Sequence, residues 1–217
     1  MNVKKCPAAP LLPRGKRARA DAIHSKLKIL YPRAECALEF FGDPFRLLVM
    51  ARLSAQCTDK RVNQVSVALF ERYPDAKAFA EANITELENA VKPCGLYRTK
   101  AAQIQEMSKI LVRDFQGRVP ADKDTLLSLP GVGEKIANLM MGDVFGDPHI
   151  VADTHLIRLS GRFGLTGSAN PATVTREMEK IVEKSEQSDF CHRMILLGRE
   201  YCKAQNPNCD QCPFMKK

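Results

Sequence analysis

No apolar run in this 217-residue chain approaches the length of a membrane span, which excludes a helical transmembrane protein. The N-terminus, MNVKKCPAAPLLPRGKRARAD, is basic but too broken by proline to serve as the apolar region of a secretory signal. No repeat of fixed period stands out, so a solenoid or propeller is not expected. Strand signals are nearly absent: residues 149–152 make at best a short extended link.

What remains is a chain long enough to bury one core or two small ones, with 45% hydrophobic and 27% charged residues, as globular proteins have. Lys and Arg exceed Asp and Glu by 33 to 25, a formal charge of +8. That excess suits a polyanionic partner, although a basic protein with no nucleic-acid role fits it as well. The basic cluster from Arg14 to Arg19 is either a DNA-contacting arm or a solvated tail. Termini are poorly ordered unless tied down, so residues 1–20 are expected to form a disordered basic arm.

Helical periodicity dominates. Residues 45–53 are too densely apolar for strand alternation, and Ile104, Met107, Leu111 and Phe115 form one amphipathic stripe. Asn170 and Pro171 make an N-cap and first-turn signal, after which Val174, Met178, Ile181 and Val182 share a face. A last helix is expected over residues 190–201, and Pro and Gly punctuate the intervals. The expected fold class is all-α.

Two segments carry possible chemistry. In Leu129-Pro130-Gly131-Val132-Gly133-Glu134-Lys135, Pro130 stops one helix, while Gly131 and Gly133 permit positive φ and close backbone approach. Their amides, at the start of the next helix, can point at a phosphate. That is the logic of a helix-hairpin-helix, which grips DNA without reading bases; an ordinary αα-turn fits equally. Eighteen residues beyond Lys135 lies Asp153. A helix N-terminus disfavours the charged form of an amine and partial burial would add to this, leaving a nucleophile. A carboxylate nearby could take protons and stabilise cationic character. The plainer alternatives are a solvated lysine and an N-cap aspartate, and the two roles of Asp153 are compatible.

Eight cysteines divide into five scattered ones, Cys6, Cys36, Cys57, Cys94 and Cys191, and a cluster of Cys202, Cys209 and Cys212. With no signal peptide evident, the cluster points to metal binding rather than disulfides.

Together these motifs resemble the endonuclease III family of helix-hairpin-helix DNA glycosylases/AP lyases, over residues 23–217. The resemblance implies two helical domains. One is a six-helix domain with the hairpin over residues 37–147. The other, residues 21–36 plus 148–217, is made from both ends of the chain and carries the cysteine loop. It further implies that Lys135 attacks C1′ of a damaged nucleoside, with Asp153 assisting, and that the Schiff base permits β-elimination. Gln56, in Leu53-Ser54-Ala55-Gln56-Cys57, and Leu96, in Cys94-Gly95-Leu96-Tyr97, match the residues that fill the gap left by a flipped base. Without the resemblance, Gln56 reads as a polar helix end and Leu96 as packing. Gly131, Val132 and Gly133 would contact the backbone of damaged double-stranded DNA.

Cys202-x6-Cys209-x2-Cys212 resembles the first three ligands of the family's [4Fe–4S] loop, whose fourth cysteine follows after five intervening residues. Here Pro213 to Lys217 supply those five residues and the fourth ligand would be the next one, so either the sequence is a truncated version of a longer chain or the cluster is incomplete. Cys191 and His192 are poor substitutes, since eleven helical residues span roughly 16 Å. Three thiolates could hold an altered cluster, accept an outside ligand, bind zinc with an open position, or stay empty.

The expected activity is thus a bifunctional glycosylase/lyase removing oxidised pyrimidines. The protein would be a cytoplasmic monomer with no membrane partner, nucleoid-associated if bacterial. A glycosylase without lyase action, a non-catalytic hairpin module and a cysteine-cluster redox protein are the rivals; Lys135 argues against the first, and the absent fourth cysteine against the last.

Overall fold

Seven of the helices begin on a side-chain cap, which is why polar residues punctuate the apolar runs so regularly. Asp43, Thr58, Asp75, Asn83, Asp122, Asp153 and Asn170 each accept from an amide in the following turn, replacing bonds a helix cannot make internally. The computed structural model describes residues 6–215, and among them the regular structure is helical with no strand. No described helix is long and apolar enough to cross a membrane.

The chain divides into two compact units, Cys36–Gly146 and the pair of segments Met1–Glu35 and Asp147–Lys217. The first unit contains α2 (Pro44–Leu53), α3 (Asp59–Arg72), α4 (Ala76–Ala80), α5 (Ile84–Val91), α6 (Tyr97–Phe115), α7 (Lys123–Ser128) and α8 (Glu134–Asp143). With the five-residue α4 counted separately, the six expected helices become seven. Helix α2 is buried from Leu47 to Leu53, so its density of apolar residues reflects a helix enclosed on every side. The α6 stripe inserts Ile104, Met107 and Leu111, all fully buried, into the same core. Phe79 closes one end, with the Phe45, Phe70 and Tyr73 rings around it at centroid distances of 5.5, 5.9 and 5.3 Å.

The second unit holds α1 (Lys16–Leu30), α9 (Thr154–Arg162), α10 (Pro171–Glu179) and α11 (Gln187–Glu200). Helix α11 packs against α1 and α9, burying Ile23, Leu27, Leu156, Leu159, Phe190, Met194 and Leu197 completely. Both ends of the sequence therefore contribute to one core. Helix α10 stops at Glu179, short of the expected face: Ile181 and Val182 donate their amides back to the Met178 carbonyl, and Val182 is buried from the turn instead.

The disordered arm expected for residues 1–20 is corrected over its described part. Residues 16–20 are the first turns of α1, and Ala8 and Ala20 are buried. Arg19 is the tie: it donates to the Pro13 carbonyl at 2.8 Å and to the Phe163 carbonyl at 3.1 Å. Carbonyl acceptors, which charge counting ignores, hold one of the arm's basic residues. Residues 1–5 lie outside the described residues.

Candidate functional site

Helices α7 and α8 form the expected helix-hairpin-helix, with Leu126, Leu129 and Ala137 pinning it to the core. At Gly131 φ is +79°, and a Cβ there would meet Arg52 Nε at 2.7 Å and Gln103 Oε1 at 2.8 Å. A glycine is needed twice over, for the backbone angle and for the close approach. Arg52 and Gln103 are themselves joined, Nε to Oε1, at 2.7 Å, and burial lowers the pKa of Arg52. Sequence reasoning missed this pair, because its members come from α2 and α6.

Gly133 behaves otherwise than expected. It caps α8 at φ −108° in extended backbone, with open space where a Cβ would be. Val132, grouped with the two glycines as a DNA contact, is buried, and its amide donates to the Leu129 carbonyl at 3.1 Å. It anchors the hairpin from within. Among the described residues, no main-chain carbonyl accepts from the amides of Gly133, Glu134 or Lys135. Those donors, with the positive end of the α8 dipole, can receive an anion.

Lys135 is the second residue of α8 and is exposed. The partial burial expected for it is therefore absent, and the helix N-terminus is the environment that remains. Its neighbour Glu134 pairs with Lys123 of α7 at 3.0 Å. Asp153 belongs to the other unit, where it caps α9: Oδ1 accepts from the Leu156 amide at 2.7 Å. The cap fixes the direction of a half-buried carboxylate and engages one of its two oxygens in that bond.

Gln56 and Leu96 share an unusual conformation. Five described residues other than glycine have positive φ, and these are two of them, at 54° and 48°. A left-handed leucine costs roughly 1–2 kcal/mol, yet Leu96 is 55% exposed and recovers little of that in packing. Strain spent on presenting an apolar side chain to solvent is better explained by a partner than by the core. Gly95, immediately before it, sits at φ 70° and ψ 163°, a region open only to glycine.

A buried lysine joins the two loops. Lys100 is fully buried, and its Nζ donates to the carbonyls of Leu53 and Cys94, each at 2.8 Å. Burial lowers its pKa, against the raising influence of Cys57 and Cys94. The Cys57 and Cys94 thiols also hydrogen-bond to each other; burial first, then Cys57, raises Cys94 to about 11. Nothing in the sequence singled out Lys100, which reads there as one of many surface lysines.

In the cysteine loop, Cys202 and Cys212 are buried and Cys209 half-buried. Arg162 of α9 secures it, donating to Cys202 Sγ at 3.1 Å and to the Lys203 and Ala204 carbonyls at 2.7 and 3.1 Å. The Phe214 amide donates to the Cys212 sulfur, and the Phe214 ring packs on Phe163 at 5.0 Å. A tetrahedral zinc site would bring thiolates within about 3.8 Å of one another, from a zinc–sulfur bond of about 2.3 Å. Among the described residues no three cysteine sulfurs lie within 4.8 Å of each other, whereas His24, Glu186 and Asp189 do supply such a group. Those carboxylates already pair with cations: Glu186 with Lys28 at 2.6 Å, and Asp189 with Arg193. The wider cysteine spacing and the N–H donors to sulfur fit an iron–sulfur cluster.

Comparison with known proteins agrees with this geometry. Residues 49–184 match the HhH-GPD superfamily base excision DNA repair protein family, and residues 202–216 match the iron-sulfur binding domain of endonuclease III. Endonuclease III of Bacillus subtilis (strain 168) is 41% identical over 191 residues, 88% of this chain and 87% of that protein. A non-covalent endonuclease III–DNA complex superposes with a TM-score of 0.88 at 39% identity, covering 94% of each chain. A trapped endonuclease III–DNA covalent intermediate, an estranged-adenine complex, gives 0.85 at 40% identity, covering 90% of this chain and 93% of that one. The chain therefore belongs to the endonuclease III family within the HhH-GPD superfamily, and is a base excision repair DNA glycosylase.

Proposed function

We propose that the chain is a bifunctional DNA glycosylase/AP lyase that removes oxidised pyrimidines from damaged double-stranded DNA and nicks the strand. One observation carries the reading: Lys135 projects, exposed, from the first turn of α8, directly after a hairpin whose amides can hold DNA phosphate. The trapped covalent intermediate formed by a 40% identical endonuclease III supports a covalent route.

The unprotonated amine of Lys135 attacks C1′, and the bond from C1′ to the base breaks, the base leaving with the bonding pair. Ring opening converts the aminal to a Schiff base, which acidifies the 2′-proton. Loss of that proton expels the 3′-phosphate by β-elimination, and water then frees the lysine. Asp153 stabilises the cationic sugar and carries protons in these steps. Gln56 bonds the orphaned base opposite the lesion, and Leu96 fills the vacated stack. Gly131 and Gly133 belong to the phosphate-holding hairpin, with Val132 supporting it. Cys202, Cys209 and Cys212 hold a cluster that we read as [4Fe–4S], which when bound shapes the loop for DNA. The protein would act as a monomer in the cytoplasm, on nucleoid DNA in a bacterium.

Duplexes carrying one oxidised pyrimidine test this directly. Wild type should release the base and leave a β-elimination nick in step, and Lys135→Gln should do neither while still binding the duplex. Base release with an intact strand would reduce the enzyme to a monofunctional glycosylase.

A further inference from the structure

We infer that Cys6 is the fourth protein ligand of the iron–sulfur cluster, so that the N-terminal segment closes a site whose other three thiolates come from Cys202, Cys209 and Cys212. The inference rests on the cluster reading above and goes beyond it, since the matched iron-sulfur domain covers residues 202–216 only.

Three observations converge on Cys6. The first is a backbone tie: the Cys6 amide donates to the Arg162 carbonyl at 2.9 Å, while the Arg162 guanidinium donates to Cys202 Sγ at 3.1 Å and to the Cys202 carbonyl at 3.3 Å. One residue of α9 thus holds the N-terminal cysteine on its main chain and the cluster loop on its side chain. The second is electrostatic. Cys202, Cys212 and Cys209 each act through space on the Cys6 sulfur, which is half-buried and accepts from the Ala8 amide. Cys6 is therefore within interaction distance of all three sulfurs.

The third is local structure. Cys6-Pro7-Ala8 and Cys212-Pro213-Phe214 are built alike. In each, the amide two residues after the cysteine donates to its sulfur, and a 3-10 turn follows nearby, over Ala9–Leu11 and Pro213–Met215. Amide donors to sulfur stabilise thiolates and tune iron–sulfur clusters. The complete burial of Ala8 holds the segment in place.

Other donors fare worse. The Cys191 sulfur accepts from the Val151 amide at 3.3 Å, a buried bond within its own unit. The Cys57 and Cys94 thiols hydrogen-bond to each other, and the Cys36 thiol hydrogen-bonds to Asp143. Ligation is a simple exchange: the Cys6 thiol gives its proton to solvent, its sulfur pair forms a bond to iron, and a water or small thiol leaves that iron. No electron changes hands.

The test uses the full chain reconstituted anaerobically with equal ferrous and ferric iron and sulfide. Wild type should bind about four irons per chain, and Cys6→Ser should lose at least one iron and show an altered electron paramagnetic resonance signal after reduction. An independent readout needs no variant: alkylation of the cluster-loaded native protein, mapped by peptide. Cys6 should be protected together with Cys202, Cys209 and Cys212, and all four should react once the iron is chelated. Unchanged iron and spectrum in Cys6→Ser, or ready alkylation of Cys6 in loaded wild type, overturns the ligand assignment and leaves the cluster reading standing. If wild type takes up no iron and sulfide, both readings fall.

Discussion

The ammonium of Lys100 lies 2.8 Å from the carbonyl oxygen of Cys94, and at the same distance from that of Leu53. These carbonyls stand two residues before Leu96 and three before Gln56, so one buried charge sets the spacing of both loops. Lys100→Met fills similar volume but leaves two carbonyls without their donor. It should cost about 1–3 kcal/mol of stability and weaken binding to DNA containing an abasic site, read by chemical denaturation and fluorescence anisotropy. A variant with wild-type stability and wild-type affinity would remove Lys100 from this role.

Gly131 and Gly133 should respond very differently to alanine. At Gly131 the new Cβ meets Arg52 at 2.7 Å with φ at +79°, so Gly131→Ala should cost roughly 1–3 kcal/mol and disturb the hairpin. At Gly133 the angle is ordinary and the space open, so Gly133→Ala should lose only part of a cap, roughly 1 kcal/mol or less. Equal losses of melting temperature would contradict the geometry.

Asp153 separates structure from chemistry. Asp153→Asn keeps an oxygen for the Leu156 amide, whereas Asp153→Ala removes the cap at a cost of about 0.5–2 kcal/mol. Both should lose glycosylase turnover by a factor of about 10² or more, while only the alanine variant loses appreciable stability. Full turnover in the asparagine variant would leave Asp153 as a helix cap alone.

Acid should destabilise the unit formed from both chain ends through His24. Burial, then Lys28, depresses this histidine from 6.5 to about 4; Arg193 adds to the effect, while Glu186 and Asp21 oppose it. The nearby carboxylates of Glu186 and Asp189 would suggest a charged ring. Desolvation and the two cations outweigh them, and the neutral ring can donate to Asp189 at 3.1 Å and pack edge-on against Phe190. The unfolded chain takes up the proton near 6.5 and the native one near 4, so the stability contributed by neutral His24 is lost as pH falls through that interval. The melting temperature of wild type should drop between those limits more steeply than that of His24→Gln.

Much of this was legible in the sequence because the signals were local. The α6 stripe, the Asn170 cap and the hairpin glycines each lie within one turn or one helix, where spacing dictates geometry. The residues that escaped notice act across the fold. Lys100 and the Arg52–Gln103 pair matter only once α2 and α6 are packed together, and the role of Arg19 depends on a carbonyl 144 residues away. Cys6 is the extreme case, since its neighbours in space lie at the other end of the chain. Gly133 shows the opposite error, a glycine whose special freedom the fold does not use.

The whole reaction passes through a covalent bond to Lys135, and borohydride trapping captures that bond. Wild type and Lys135→Gln would be mixed with duplexes bearing an abasic site or an oxidised pyrimidine, reduced, and the adduct digested for mass spectrometry. Wild type should give a covalent adduct with both duplexes, carried on the peptide containing Lys135 and lost in the variant. An adduct on any other residue, or none with wild type while it still binds the DNA, would contradict a covalent step through Lys135.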